Sequence, residues 1–142
     1  MLDAGVDRDS GLPFLVMEYL AGADMSALLK RLGKLAPDLA LRIVAQASLG
    51  LQKAHDAGVI HRDIKPANLF LAQRDAGEIV VKLLDFGIAK LTMEQAEDAE
   101  SAALTRTGSV LGSPLYMSPE QARGNSKNID SRADIWSLGV VL

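Results

Sequence analysis

His61-Arg62-Asp63-Ile64-Lys65-Pro66-Ala67-Asn68, followed seventeen positions past Asn68 by Asp85-Phe86-Gly87, is the stretch whose reading decides the fold. Six specified residues at roughly 5% usage each give the first motif a chance match of order 10⁻⁸ per position. The tripeptide alone should turn up by accident in about 2% of chains this long. It gains weight by following the first motif across a predicted hairpin.

That hairpin is written in two apolar runs, Leu69 to Ala72 and Glu78 to Leu84, flanking Gln73-Arg74-Asp75-Ala76-Gly77. Before the motif lies the clearest helix in the chain. Pro37 suits a first turn, Asp38 suits the positive end of the helix dipole, and Leu39, Ile43, Ala47, Leu51 and Ala54 recur at helical spacing until Gly58. Further upstream, Leu2 to Val6 and Leu12 to Met17 read as two short strands around the turn cluster Arg8-Asp9-Ser10-Gly11, a hairpin that needs a sheet to join. Ala21-Gly22 breaks the pattern, and Asp24 is placed to cap a short helix through Leu28 and Leu29 to about Arg31. Downstream, residues 92–110 are small and polar without a sustained period, which predicts a long loop, functional or disordered. From Asp130 onward Ile135, Leu138 and Val141 mark a helix face. No glycine, basic turn or proline closes that helix before Leu142, so the chain reads as a piece of something larger.

With 49% hydrophobic and 23% charged residues among 142, the composition is that of a globular protein and excludes collagen-like, coiled-coil or wholly disordered architectures. There is no cysteine, which removes disulfides, thiolate metal sites and thiol nucleophiles. The net charge is −3, and Glu94, Glu97, Asp98 and Glu100 account for it; without them 15 basic side chains face 14 acidic ones. No basic stripe recommends nucleic acid. The first residues lack a basic segment followed by an apolar run, and no apolar stretch approaches the roughly 18 residues needed to span a bilayer. The expected compartment is the cytoplasm.

The two motifs, taken with Phe14-Leu15-Val16-Met17-Glu18-Tyr19-Leu20, Gly112-Ser113-Pro114-Leu115-Tyr116-Met117-Ser118-Pro119-Glu120 and Asp134-Ile135-Trp136-Ser137-Leu138-Gly139, resemble the eukaryotic-like Ser/Thr protein kinases, especially the bacterial ones. The resemblance runs from about Leu2 to Leu142. It implies an α+β fold, a partial kinase-like architecture in which a remnant β-hairpin of the small lobe and the hinge occupy residues 1–20. The first half of a mostly helical large lobe, with catalytic loop, activation loop and the start of the central helix, would occupy 21–142. The implied reaction is transfer of the ATP γ-phosphoryl group to a protein Ser or Thr hydroxyl.

Phosphoryl transfer needs metal ions that bridge the phosphates and a carboxylate that orients the attacking hydroxyl and takes its proton. By the resemblance Asp63 is that base, and Asn68 and Asp85 supply oxygen ligands to Mg²⁺, a hard ion. Lys65 places a positive charge near the transferring group and, followed by Pro66, favours Ser/Thr acceptors. The adenine would meet the Glu18 carbonyl and the Leu20 amide, with Met17 behind it, Phe70 beneath it and Asp24 at the ribose; for Met17 and Phe70 core packing is the plainer alternative. Arg62 resembles the arginine that senses activation-loop phosphorylation, and Thr105 and Thr107 resemble the double-threonine site of bacterial members, or are solvated loop hydroxyls. Ser113 stands where the family usually has Thr, near the base and Lys65, and Ser118-Pro119-Glu120 replaces Ala-Pro-Glu. Asp134 resembles the buried aspartate that holds the catalytic-loop backbone, His61 is expected to support that loop and not to act as a base, and His55 to pack or cap.

A G-x-G-x-x-G loop and a strand lysine paired to a helix glutamate, which complete the phosphate clamp in this family, do not occur here; the first lysine is Lys30. The chain is therefore expected to be truncated at both ends, prone to aggregate, and inactive or very weak by itself. Two alternatives stand beside the kinase reading: a non-catalytic module that pairs with another kinase chain, and a small-molecule phosphotransferase, against which the peptide-docking stretch 112–120 argues. The partners implied are ATP, a protein substrate, or a second kinase chain.

Overall fold

In the computed structural model, which describes residues 2–74, 77–86, 114–124 and 129–142, the longest element is the helix opened by Pro37. The order is β1 (Asp3–Val6), β2 (Pro13–Val16), β3 (Gly22–Asp24), α1 (Met25–Leu32), α2 (Pro37–Asp56), a 3₁₀ turn (Pro66–Asn68), β4 (Leu69–Gln73) and β5 (Ile79–Leu83). A second 3₁₀ turn (Pro114–Tyr116), the short α3 (Pro119–Ala122) and α4 (Arg132–Val141) follow. The fold is a mixed α+β one.

Helix α2 buries the middle of the stripe that its spacing singles out, while Leu39 in the first turn is exposed and Ala54 only partly buried. Ile43, Ala47 and Leu51 are nearly inaccessible and meet Met25 of α1, Ile64, Leu69 and Leu138 of α4 in one core. Each fully buried aliphatic side chain of this kind contributes roughly 1.5–3 kcal/mol. Ile64 lies inside the polar motif, so the core itself holds that loop. Pro37 sits in the first turn without costing a hydrogen bond, and Gly58 follows the C-terminus at φ 75°.

Two sheets form. β1 and β2 pair antiparallel as a two-stranded unit, with Asp3 opposite Val16 and Gly5 opposite Phe14. The hairpin joins no third strand among the described residues, and Leu2, Val6, Leu12 and Leu15 are exposed on it. The second sheet has the order β3-β4-β5, all antiparallel. Here the structure corrects the reading of Ala21-Gly22 as a simple break: Gly22 begins β3, opposite Ala72. Its φ of 146° is open to glycine, and a Cβ there would lie 2.1 Å from the Leu71 carbonyl oxygen. α2 packs directly on β5, where the Gln46 side-chain oxygen accepts the Val81 N–H at 2.9 Å.

The face of α4 also differs from expectation. Ile135 is 56% exposed, and the buried positions are Ala133, Asp134, Ser137 and Leu138, with Val141 partly buried against the core. Ala133, Asp134 and Ser137, all small or polar, share the buried stripe with Leu138 because hydrogen bonds as well as apolar contact dock this helix. Ser137 Oγ donates to the Tyr116 carbonyl at 2.6 Å. No helix among the described residues is long and apolar enough to cross a membrane. The stretch 92–110 lies outside the described residues.

Candidate active site

The loop from His61 to Asn68 is polar, and each of its backbone turns has an identified anchor. Asp134, fully buried on α4, accepts the N–H of His61 at 2.9 Å on Oδ2 and the N–H of Arg62 at 2.7 Å on Oδ1. Its Oδ2 also meets His55 Nε2 of α2 at 2.7 Å. A buried carboxylate is tolerable only when its lone pairs are used, and three donors use them here.

These anchors hold an unfavourable backbone. Arg62 has φ 63° and Asp85 has φ 53°, both in the left-handed region. For a non-glycine residue that costs about 1–2 kcal/mol. Asp tolerates it through its short polar side chain; Arg needs support from outside, which Asp134 supplies at its N–H. Gln121 of α3 supplies it at the carbonyl, to which its Nε2 donates at 2.8 Å.

His61 is wholly buried, and its ring bridges two segments. Nε2 lies 2.9 Å from the Leu84 carbonyl, an acceptor, so Nε2 carries the proton and Nδ1 is left to accept the Asp63 N–H at 3.4 Å. Burial pushes its pKa below the ordinary histidine value, against the raising influence of Asp134, and keeps the ring neutral. The Phe86 ring packs on it at a tilt of 35°, with centroids 4.5 Å apart.

Asp63, Lys65 and Asn68 come together. Lys65 Nζ is 2.7 Å from Asp63 Oδ2, while Asn68 Nδ2 donates to the Asp63 carbonyl at 2.8 Å and to its carboxylate at 3.2 Å. Two oxygens facing the same Asn68 atom fix it as the nitrogen, which turns the amide oxygen the other way. Asp85 is joined to this cluster through its neighbours. The Leu84 N–H donates to the Asn68 carbonyl at 2.9 Å, Leu84 O accepts the hydrogen bond of His61 Nε2–H, and Phe86 lies against His61. Asp85 itself is exposed between these two anchored residues. Asp63 and Asp85 thus stand on one pair of linked loops. Among the described residues no three His, Asp or Glu side chains form a ready-made metal cage. An amide oxygen and a carboxylate are the donor set Mg²⁺ takes when phosphate and water complete its shell.

A second group forms on β3-β4-β5. Asp24 pairs with Phe70 and Phe70 with Lys82, so the three side chains share one face of the sheet. The Glu18 carboxylate is bonded to Lys82 Nζ, which lowers its pKa and draws the segment after β2 onto that face. Phe70 lies two residues past Asn68, about 7 Å along the strand, so the two groups adjoin. Asp24 is committed in part: one carboxylate oxygen caps α1 by accepting the Ala27 N–H at 2.8 Å. Met17 is 62% exposed and Phe70 partly buried, and neither belongs to the core. Leu20 is half-buried in the segment before β3, and Glu120 lies in the first turn of α3. Gly87, Thr105, Thr107 and Ser113 lie outside the described residues. Two participants were not singled out by sequence: Lys82, a lone lysine in an apolar strand, and Gln121, whose only signal is the Ser118-x-x-Gln121 spacing of a capping box.

Comparison with known proteins places the chain in a family. Residues 5–142 match the family described as the protein kinase domain. Over 142 residues, the whole chain, the sequence is 47% identical to serine/threonine-protein kinase pkn3 of Myxococcus xanthus, of which it covers 25%. It is 44% identical over 131 residues, 92% of the chain, to serine/threonine-protein kinase PknB of Mycobacterium leprae, of which it covers 19%. The crystal structure of the Mycobacterium tuberculosis PknI kinase domain superposes with a TM-score of 0.67 at 28% identity, over 99% of this chain and 46% of that one. The chain therefore spans a quarter or less of these curated relatives and under half of the solved kinase domain.

Proposed function

Because the chain belongs to the bacterial serine/threonine protein kinase domain family, we propose that its site moves the ATP γ-phosphoryl group to a Ser or Thr hydroxyl of a protein substrate. In this reading the Asp63 carboxylate accepts the hydroxyl proton, a bond forms from that oxygen to the γ-phosphorus, and the bond to the β-phosphate oxygen breaks to release ADP. Lys65, held beside Asp63, faces the charge that develops on the transferred group. Asn68, through the amide oxygen turned away from Asp63, and Asp85 would hold Mg²⁺, which would neutralise phosphate charge when bound. The base would rest on Phe70, bounded by Met17, with the Glu18 carbonyl and Leu20 amide at its edge and the free side of Asp24 at the ribose.

The lobe division follows the same reading: residues 1–20 as small-lobe remnant and hinge, 21–142 as the first half of the large lobe. Arg62 would pair with a phosphate on Thr105 or Thr107, Ser113 and Glu120 would belong to the substrate-docking loop, and Asp134 would have a structural role. ATP as donor suits a cytoplasmic location. One observation carries the proposal: the Lys65 and Asn68 side chains both hydrogen-bond Asp63 on a loop bonded twice to Leu84, the residue before Asp85.

In the full-length gene product, Asp63→Asn should lower label transfer from ATP to a Ser/Thr substrate by at least about 10²-fold, and Asp85→Asn should weaken Mg²⁺-dependent nucleotide binding. Unchanged transfer in Asp63→Asn overturns the proposal. A second reading, a kinase-like module without activity of its own, is favoured for the isolated 142 residues by one observation: they contain neither a G-x-G-x-x-G loop nor a lysine before Lys30.

A further inference from the structure

The peptide group that precedes Asp63 is held at both of its polar atoms. Its N–H, that of Asp63, points to His61 Nδ1, and its carbonyl, that of Arg62, accepts from Gln121 Nε2 at 2.8 Å. A peptide unit is planar, so gripping its two ends sets the direction in which the Asp63 Cα and side chain leave it. Gln121 grips from a different part of the chain, 59 positions away on α3.

The same side chain does a second job. Gln121 Oε1 accepts the Ser118 N–H at 3.1 Å, while the Gln121 N–H donates to Ser118 Oγ at 3.4 Å, closing a capping box at the start of α3. The two ends of one amide are thus used oppositely, oxygen for the cap and nitrogen for Arg62. A reversed amide would set oxygen against oxygen and nitrogen against N–H, so the orientation is fixed.

We infer that Gln121 is a positioning residue for Asp63: it couples the folding of the segment 114–122 to the orientation of the peptide that carries the proposed base. The inference rests on the kinase reading for its meaning, because only there is 114–122 the segment against which a substrate docks. Its geometry is testable without nucleotide. When 114–122 is folded, the cap holds the Gln121 side chain in place and the Arg62 carbonyl is held in turn. When that segment unfolds, the left-handed Arg62 loses the support at its carbonyl.

Glutamate separates the two jobs. At pH 7 the ionised carboxylate introduced by Gln121→Glu accepts the Ser118 N–H as well as glutamine does but cannot donate to the Arg62 carbonyl. The experiment is amide hydrogen exchange by NMR on the 142-residue chain, comparing the parent with Gln121→Glu and Gln121→Ala. In Gln121→Glu the Ser118 amide should keep its parent rate. The Asp63 amide should exchange roughly five- to tenfold faster, with its signal displaced, as expected for loss of one hydrogen bond. In Gln121→Ala both amides should accelerate. The Leu51 amide, in the core, should be unchanged in each. If Gln121→Glu leaves Asp63 at the parent rate, or if Leu51 accelerates as much as Asp63, the positioning role is refuted. Failure of the kinase reading would show instead in the Asp63→Asn transfer assay.

Discussion

The Asp134 carboxylate accepts the Arg62 N–H at 2.7 Å across 72 positions of chain, and Arg62 there sits at φ 63°. One buried acid on the last helix therefore holds a strained residue next to the proposed base. That acid also takes the His61 N–H and meets His55 Nε2, so α2, α4 and the loop between α2 and β4 share one acceptor.

Asp134→Ala should be the most damaging single substitution in the described fold. It strands two backbone N–H groups, and each unsatisfied donor costs about 1–3 kcal/mol. The expected loss, about 3 kcal/mol or more, is a large part of the stability of a small domain, and should appear as a lowered urea midpoint. Asp134→Asn, which keeps one acceptor oxygen, should lose less.

His61 gives the fold a pH dependence of definite sign. Its folded pKa lies below the unfolded value near 6.5 because burial disfavours the charged ring. Above about pH 6.5 both states are neutral and the contribution is fully present. As pH falls below that, the unfolded chain takes up a proton first, and stability declines down to the folded pKa at up to about 1.4 kcal/mol per pH unit. Urea unfolding between pH 7.5 and 5 should show this slope, and His61→Gln should reduce it; an unaltered slope in that variant assigns it to other groups.

Gly22→Ala should disrupt the pairing of β3 with β4. A φ of 146° together with a Cβ placed 2.1 Å from the Leu71 oxygen leaves no small adjustment that removes the clash. A loss of about 2 kcal/mol or more is expected, with faster exchange of the Gln73 amide, which donates to Ala21. Gly33→Ala, at a helix end with nothing within 4 Å of its Cβ, should lose less.

The isolated 142 residues, given labelled ATP, Mg²⁺ and a basic protein substrate, should incorporate no more label than their Asp63→Ala variant. Removing a single preorganised charge-stabilising group costs about 10²–10³ in rate, and these residues include no glycine loop and no lysine before Lys30 to clamp the phosphates. Asp63-dependent incorporation above that baseline would contradict the expectation.

Much of this molecule was legible in one dimension wherever a residue acts within a few positions of itself. Helical spacing marked Ile43, Ala47 and Leu51 as the buried stripe of α2, Asp24 was readable as a cap, and the runs on either side of 73–77 announced β4 and β5. Gly22-Ala23-Asp24 was not legible as a strand, because glycine and aspartate are poor in strands and only the edge of β4 makes them one. The apolar spacing of α4 held for Leu138 and Val141 and failed at Ile135, because the bonds of Asp134 and Ser137 help choose the buried side.

What the amino-acid order determined alone is the inventory: a carboxylate, lysine and amide at 63, 65 and 68, a second carboxylate at 85, and helices and strands to carry them. The tertiary structure decided how they are aimed, apart from the hold of Asp134 on the loop, which the resemblance already implied. Asp134 and Gln121 reach Arg62 from 72 and 59 positions away, and Lys82 draws in Glu18 from 64. Local spacing encodes only neighbours along one element, whereas a hydrogen bond between distant elements exists only once the core has closed and brought their backbones within about 3 Å.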